Sequence, residues 1–458
     1  MTTYIRFHKV RWLGTMVLLA TAGLGSLIGQ TIAQSESGST SSSAGLRGLQ
    51  LYNVTGWAGY YSVAQFASFA SPRLPSDVAL GTSATLGWAK SRERSSVSFT
   101  YTSSFVGRVR FTDASALNHS LSFFASRKIT SRWSLDFSTF ATLSTTDQLL
   151  FTPSPSGQLA AAPANFEELA AGMLRRQFTN PQLAALLTGT PLVYAVERPA
   201  ILGDRAFSAS AQVRLTYAPS SRTAFYVGLG GWRNQVLPNS DGERNRPAGV
   251  LSQSTTADVS VGLSHSLTPR TTVGLSASRS RTFSVFQDAY RDSFYGSVGR
   301  KMGRRWLVQG YGGTGRVQPI RSLYTLPTGP QYLAGASVAY KLSAHTFIAS
   351  VDRNFGDSYG LGGQSTVSIN GAWNWSPRGR DWTLFSSIGQ YRMLGSPLGD
   401  LNSWRASTGL SRKISTRAAL STEYAYATSS SPFGLIPNFS QHAARVAVTW
   451  SPQWSPLR

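Results

Sequence analysis

The chain has 458 residues, carries a formal net charge of +23 and contains no cysteine. Hydrophobic residues make up 41% of it, which excludes an intrinsically disordered protein, and aromatic residues make up 12%, which favours pleated strands. The charge first suggests a nucleic-acid partner, but the positions of the basic residues argue against one. The lack of cysteine agrees with export to an oxidising compartment.

The N-terminus has the pattern of a secretory signal. Three basic residues precede an apolar stretch over 13–28, and Thr31-Ile32-Ala33 offers small residues at a cleavage site. A membrane anchor is the alternative, because the stretch approaches spanning length, but its glycines and the polar tract after it favour cleavage. We predict a signal peptide over 1–33, a flexible linker over 34–49 and a folded domain over 50–458.

Segments in which apolar and polar residues alternate recur along the folded domain. They are clearest at 96–105, 207–217, 332–341 and 367–375. A period of two over about ten residues predicts a strand with one apolar and one polar face, and about 9–11 residues cross a bilayer when tilted. Since only helices and closed barrels satisfy every backbone group in lipid, strands that span a membrane must close into a barrel.

A soluble β-sandwich or propeller is the alternative, because its strands also alternate. The predicted strands are longer than the usual globular strand of about five or six residues. Their apolar faces carry aromatic residues near the ends, such as Tyr332 and Tyr340, as expected of interfacial girdles. Their polar faces are rich in Ser, Thr, Gly and Asn, which suits a water-filled lumen. These features favour the membrane barrel.

Eight connections between the strands are short and alike, and several place Arg or Lys on both sides of a small gap. Longer links rich in Pro, Gly, Asn and Asp lie between them. In outer-membrane barrels, short turns are periplasmic and long loops are extracellular. The short turns are predicted at 91–94, 129–132, 219–222, 268–270, 302–304, 342–344, 376–380 and 414–416.

Eight short turns join sixteen strands in pairs. If both ends of the domain are periplasmic, one more strand must precede the pairs and one must follow them, and 51–61 and 445–450 supply these. We therefore predict an all-β fold, a transmembrane antiparallel up-and-down β-barrel of about 18 strands. Sixteen is the alternative if 51–61 is not a strand. A barrel of 16–18 strands leaves an aqueous channel.

The signal peptide, the repeated hairpins and a final strand with Val446, Val448 and Trp450 on one face together resemble bacterial outer-membrane porin-like β-barrel proteins over about residues 50 to 458. The resemblance implies the outer membrane of a Gram-negative bacterium, with outer-membrane lipid and the barrel assembly machinery as partners. Such barrels usually end on an aromatic residue, whereas this chain runs on through Trp454 to Arg458.

Most of the positive charge is predicted to lie on the periplasmic rim, where Glu93 and Asp381 are the acidic exceptions. These basic residues either contact anionic lipid headgroups or keep the hairpin ends solvated. Other charged residues of both signs fall on the polar strand faces and should point into the lumen. There they would form a transverse field or pair along the wall. The lumen candidates are Arg108, Arg110, Arg214, Arg405, Arg445, Asp136, Asp258, Asp352 and Glu423.

The segment 144–204 is too long for an ordinary loop and carries helix signals. Asn165 can cap one helical run, with Glu168 at the capping-box position, and Asn180-Pro181 opens a second run. We expect two short helices that form a plug or lid over the lumen, and a cap on the outer surface is the alternative. The plug or lid candidates are Phe166, Leu169, Met173 and Leu186.

The sequence offers little that points to catalysis. The histidines are widely spaced, and no pair of them has metal-ligand spacing. We predict no enzyme, no metal and no cofactor. The leading hypothesis is a pore or transport channel for a small hydrophilic solute or a polysaccharide, passive or part of an export pathway. The alternatives are a non-conducting surface barrel that binds a partner through its loops, and a barrel-embedded lipid hydrolase.

Overall fold

The structure is a computed structural model, and it describes eighteen strands. The described residues are 50–62, 76–110, 115–145, 205–237, 253–285, 287–323, 328–356, 364–377, 381–394, 401–430 and 439–452. The strands are β1 (Gln50–Tyr61), β2 (Asp77–Arg92), β3 (Ser95–Arg108), β4 (Ala116–Lys128), β5 (Trp133–Thr145), β6 (Arg205–Tyr217), β7 (Thr223–Leu237), β8 (Ser254–Thr268), β9 (Thr271–Ser284), β10 (Gln287–Met302), β11 (Trp306–Ser322), β12 (Gln331–Leu342), β13 (His345–Gly356), β14 (Gln364–Trp375), β15 (Trp382–Leu394), β16 (Leu401–Lys413), β17 (Ala418–Ser430) and β18 (Phe439–Trp450).

All eighteen strands form one antiparallel sheet in which each strand pairs with its neighbours in the chain. The first strand also pairs with the last, from Val54 opposite Trp450 to Tyr61 opposite Ala443, so the sheet closes into a barrel. The predicted up-and-down barrel is confirmed. The count is eighteen rather than sixteen because β1 is a full strand, bonded to both β2 and β18. No helix in the described ranges is long and apolar enough to span a membrane.

Paired strands flank all eight predicted short turns, on the same rim as the start of β1 and the end of β18. Four of them share a local device, in which a Ser or Thr hydroxyl accepts the backbone N–H of the arginine two residues later at 3.1–3.2 Å. Such a bond closes a turn without help from the rest of the protein. The four hydroxyl residues are Thr130, Ser220, Thr268 and Ser415.

The outer face of the barrel is apolar. Along β8, for example, Val259 and Val261 point outward and are about half exposed. At the rim with the short turns, aromatic rings from neighbouring strands pair on this face, with centroids 4.6 Å apart for Trp133 and Tyr217 and 4.2 Å apart for Trp306 and Tyr340. This is the apolar band with an interfacial girdle that a lipid bilayer requires. The molecule is thus a transmembrane barrel of the outer-membrane type.

Candidate functional site

The inner face of the barrel is the candidate site. Eighteen strands spaced about 4.8 Å apart and tilted by about 40° enclose a cylinder about 36 Å across between backbones. Hydroxyl side chains cover much of this face and bond across strands, as Thr85 does with Thr102 at 2.7 Å and Thr256 with Thr282 at 2.9 Å. Paired hydroxyls keep the wall polar without reaching far into the lumen.

Eight of the nine charged residues that the sequence places in the lumen lie on the face opposite the exposed hydrophobic side chains. Asp258, for example, lies between residues of β8 that alternate with it and point outward. The ninth, Arg110, follows the end of β3, and its backbone N–H donates to Asp77 Oδ1 at 3.0 Å. The charged residues fall into four groups along the wall.

The group nearest the short-turn rim joins β4 to β7. Asp136 accepts a hydrogen bond from Ser126 Oγ at 2.6 Å and lies directly opposite Arg214 in the register of β5 and β6. The guanidinium of Arg214 lies over the ring of Tyr226, 4.8 Å from its centroid. Both charges are therefore held against the wall by neighbouring strands.

A second group lies where the barrel closes. Arg445 on β18 is 3.8 Å from Glu423 on β17, and Arg405 on β16 acts on the same carboxylate. The guanidinium of Arg445 also lies over the Trp57 ring of β1 at 5.8 Å. Two arginines thus surround one carboxylate, and the group carries a net positive charge.

A third group lies on β8 to β13. Arg291 acts electrostatically on Asp258, and its Nε donates to Ser280 Oγ at 3.1 Å. Farther round the wall, the Tyr311 hydroxyl donates to Asp352. Sequence analysis missed Arg291, although it shares the polar face of β10 with Ser293 and Ser297. Asp288 and Asp292 lie on the outer face of β10, so the alternation of polar and apolar residues along this strand is not visible in the sequence.

The fourth group seals the end of β2 and β3 away from the short turns. Arg108 Nη1 is 3.4 Å from Asp77 Oδ2, and the two side chains are only 3% and 0% exposed. Asp77 Oδ1 also accepts the backbone N–H of Val78 at 2.8 Å. Arg108 lies over the Tyr61 ring at 5.3 Å. Asp77 was missed because it begins a strand directly after a long link, where no alternation precedes it.

Several aromatic rings on the inner face lie flat against the wall, because each of them covers a glycine on the adjacent strand. A Cβ added to Gly81 would sit 2.0 Å from the Trp57 ring, and one added to Gly335 would sit 2.4 Å from the Tyr311 ring. Any larger residue at these positions must push the ring away from the wall. The glycines therefore let these rings lie against the wall instead of projecting into the lumen.

The lysines form a further feature of the inner face, at the rim with the short turns. The backbone N–H of four lysines donates to the carbonyl at the end of the preceding short turn, at 2.8–2.9 Å, so all four occupy the same position of the hairpin repeat. Strand parity places them inward, whereas Arg127, Arg300 and Arg412 directly before three of them face outward. We refer to the four as the mouth lysines. They are Lys128, Lys301, Lys341 and Lys413.

The predicted plug or lid, with Phe166, Leu169, Met173 and Leu186, lies outside the described residues, as do the signal peptide and the linker. The structure does fix the ends of the segment. Thr145 and Arg205 pair in register at the rim opposite the short turns. The role of the segment stays a prediction.

The histidines of the described ranges lie on the outer face. Three of them contact a neighbouring hydroxyl: His119 with Tyr101 at 3.5 Å, His265 with Thr223 at 2.9 Å and His442 with Tyr424 at 2.6 Å. The fourth, His345, stacks among the rings of the aromatic girdle. Within those ranges there is no group of three or more His, Cys, Asp or Glu side chains that could hold a metal ion.

Comparison with known proteins yields structural neighbours only. No protein-family model matches the chain, and no curated protein matches it significantly. Similar solved structures include Pseudomonas aeruginosa OccK5 (OpdH), with 13% identity, a TM-score of 0.41 and coverage of 88% of this chain and 98% of that one. Another is OpdQ from the same organism, with 11% identity, a TM-score of 0.43 and coverage of 88% and 97%.

A third neighbour is P. aeruginosa OccK2 (OpdF) in complex with glucuronate, with 10% identity, a TM-score of 0.43 and coverage of 88% of this chain and 98% of that one. The fold assignment rests on the strand pairing of the chain itself, which agrees with the predicted porin-like barrel.

Proposed function

We propose that the protein is a pore or transport channel that lets small hydrophilic solutes cross the outer membrane. The observation that carries the proposal is the inner face of a closed eighteen-strand barrel, which is polar and wide. Barrels of 16–18 strands leave an aqueous channel when nothing fills them.

The arrangement of charges supports conduction with a preference in sign. The charged residues of the wall away from the short-turn rim contact partners of opposite charge or aromatic rings, as Arg108 does with Asp77 and Arg445 with Glu423. The mouth lysines have Asp136 as an acidic neighbour on β5, yet they outnumber it. A positive mouth concentrates anions and repels cations, so we expect anions to pass more readily.

The segment 144–204 would gate or narrow this pore as a plug or lid. Planar-bilayer conductance of the purified barrel, compared with a variant lacking 160–190, tests both ideas. A pore gives current in the variant, and a plug makes that current larger than in the intact protein. Silence from both proteins, each shown by heat-modifiable gel mobility to be a folded barrel, would leave the non-conducting surface barrel as the better hypothesis.

A further inference from the structure

Three charged side chains cross the outer, lipid-facing surface of β9, β10 and β11 in one row. Arg279 and Arg316 each lie directly opposite Asp292 in the register of the sheet. The Nε atom of each arginine is 3.5 Å from one oxygen of the Asp292 carboxylate. We call these three residues the outer arginine row. They share their face with Val259 and Phe294, which are about half exposed.

The level of the outer arginine row places it at a membrane interface. Arg279 is the ninth residue of β9, counted from the short turn, and Arg316 is the eleventh of β11. A tilted strand crosses the hydrocarbon in about 9–11 residues. Because the short turns face the periplasm, the row lies where the strands leave the hydrocarbon on the extracellular side. Arginine on the lipid face is costly at mid-bilayer but not near the interface.

The row presents more positive than negative charge. Both arginine side chains are 58% exposed, whereas Asp292 is 28% exposed and is also contacted by Gln318 Nε2 at 3.3 Å. The carboxylate holds each guanidinium by its Nε side. A guanidinium group has five N–H donors in a planar fork that fits phosphate oxygens. Two such groups on one carboxylate form a binding site for an anion with several oxygens.

The surrounding residues hold the two guanidinium groups of this binding site in place. Arg279 lies over the ring of Tyr290 at 4.5 Å. Arg281, on the same strand, lies 5.2 Å from the centroid of the same Tyr290 ring. It bonds both oxygens of Asp288, at 3.0 and 2.9 Å. The second pair is neutral, so it adds rigidity to the patch without cancelling the charge of the row.

An apolar groove runs beside the row on the same face. It has a volume of about 500 Å³, and its lining includes Val259, Val261, Ala277 and Phe294 together with all three residues of the row. A charged end next to an apolar trough matches an amphiphile whose anionic headgroup is joined to acyl chains. A soluble anion would leave the apolar part of the groove unused.

We propose that the outer arginine row and its groove bind a phosphate-bearing lipid of the outer leaflet. The phosphate would bridge Arg279 and Arg316, and an acyl chain would lie along the valines and Phe294. This site is on the opposite face of the barrel wall from the lumen, so it does not depend on conduction. It is also distinct from the basic short turns, which lie at the other membrane interface.

Native mass spectrometry of the detergent-purified barrel tests the site, with diphosphorylated lipid A as the probe and its dephosphorylated form as the comparison. We expect the barrel to retain the phosphorylated lipid, and Arg279→Gln and Arg316→Gln each to weaken retention about tenfold, the loss of one charge-assisted contact. Arg392→Gln is the matched control. Arg392 is exposed on the outer face as the eleventh residue of β15, away from the row, and its replacement should leave retention unchanged.

Three results would overturn the proposal. One is equal retention of the two lipid forms, and another is an equal loss in Arg392→Gln, which would indicate unspecific attraction. The third is a dimer of the barrel that Arg279→Gln abolishes, which would make the row an interface between copies. Heat-modifiable gel mobility establishes that each variant is a folded barrel. If one substitution prevents folding, the other arginine still carries the test.

Discussion

The buried pair of Asp77 and Arg108 makes a quantitative test of the structure. Asp77→Ala would leave the Arg108 guanidinium without its carboxylate, in a place where only 3% of that side chain is exposed. It would also remove the acceptor for the backbone N–H groups of Val78 and Arg110. Breaking a buried pair from one side costs about 3–5 kcal/mol, a factor of about a hundred to several thousand in the folding equilibrium.

The assay is folding into phosphatidylcholine vesicles over a range of urea concentrations, with the folded fraction measured by heat-modifiable gel mobility. Asp288→Ala is the control, because it removes a shorter, two-bond contact with Arg281 from the outer surface, where 36% of the arginine is exposed. Exposed pairs contribute little, so a far smaller loss is expected there. The double variant Asp77→Ala, Arg108→Met should recover much of the loss, since no unpaired charge remains. Equal losses in the two single variants would refute the reasoning.

Two further predictions concern the pore. Gly81→Val should lower single-channel conductance, because the new side chain displaces the Trp57 ring from the wall. Gly56→Ala is the control and should leave conductance unchanged, since a Cβ there meets nothing within 4 Å. Unchanged conductance in Gly81→Val would show that the ring does not narrow the pore. Replacing all four mouth lysines by glutamine should move the reversal potential in a salt gradient towards cation preference. An unchanged reversal potential would place the ion selectivity elsewhere in the lumen.

The sequence predicts most of the architecture because its strands repeat one local pattern. Period-two alternation sets the faces of β3 and β6, and short connections, several with basic residues on both sides of a small gap, mark where the hairpins end. Both signals are local, so a single sequence is enough to read them. The strand count needed a further step, since β1 could be assigned only by assuming that both ends of the barrel lie on one rim.

The candidate site was less predictable for two physical reasons. Parity gives the face of a residue but not its partner, so neither the Arg445–Glu423 contact nor the flat rings could be foreseen. Parity also assumes that charges avoid lipid. On β10, Asp288 and Asp292 break that rule near the interface, and they conceal Arg291 on the other face. The outer arginine row was missed for the same reason.

The closure of the barrel has a consequence for how the chain folds. Each hairpin pairs residues that are close in sequence, and in four of them a turn hydroxyl can fix the bend before any distant strand arrives. The seam between β1 and β18 differs, because the Thr55–Thr449 hydroxyl bond, 3.0 Å long, joins residues 394 positions apart. Contacts of such high sequence separation carry the largest loop-closure entropy and form slowly. We therefore expect the hairpins to form first and the seam between β1 and β18 to close last.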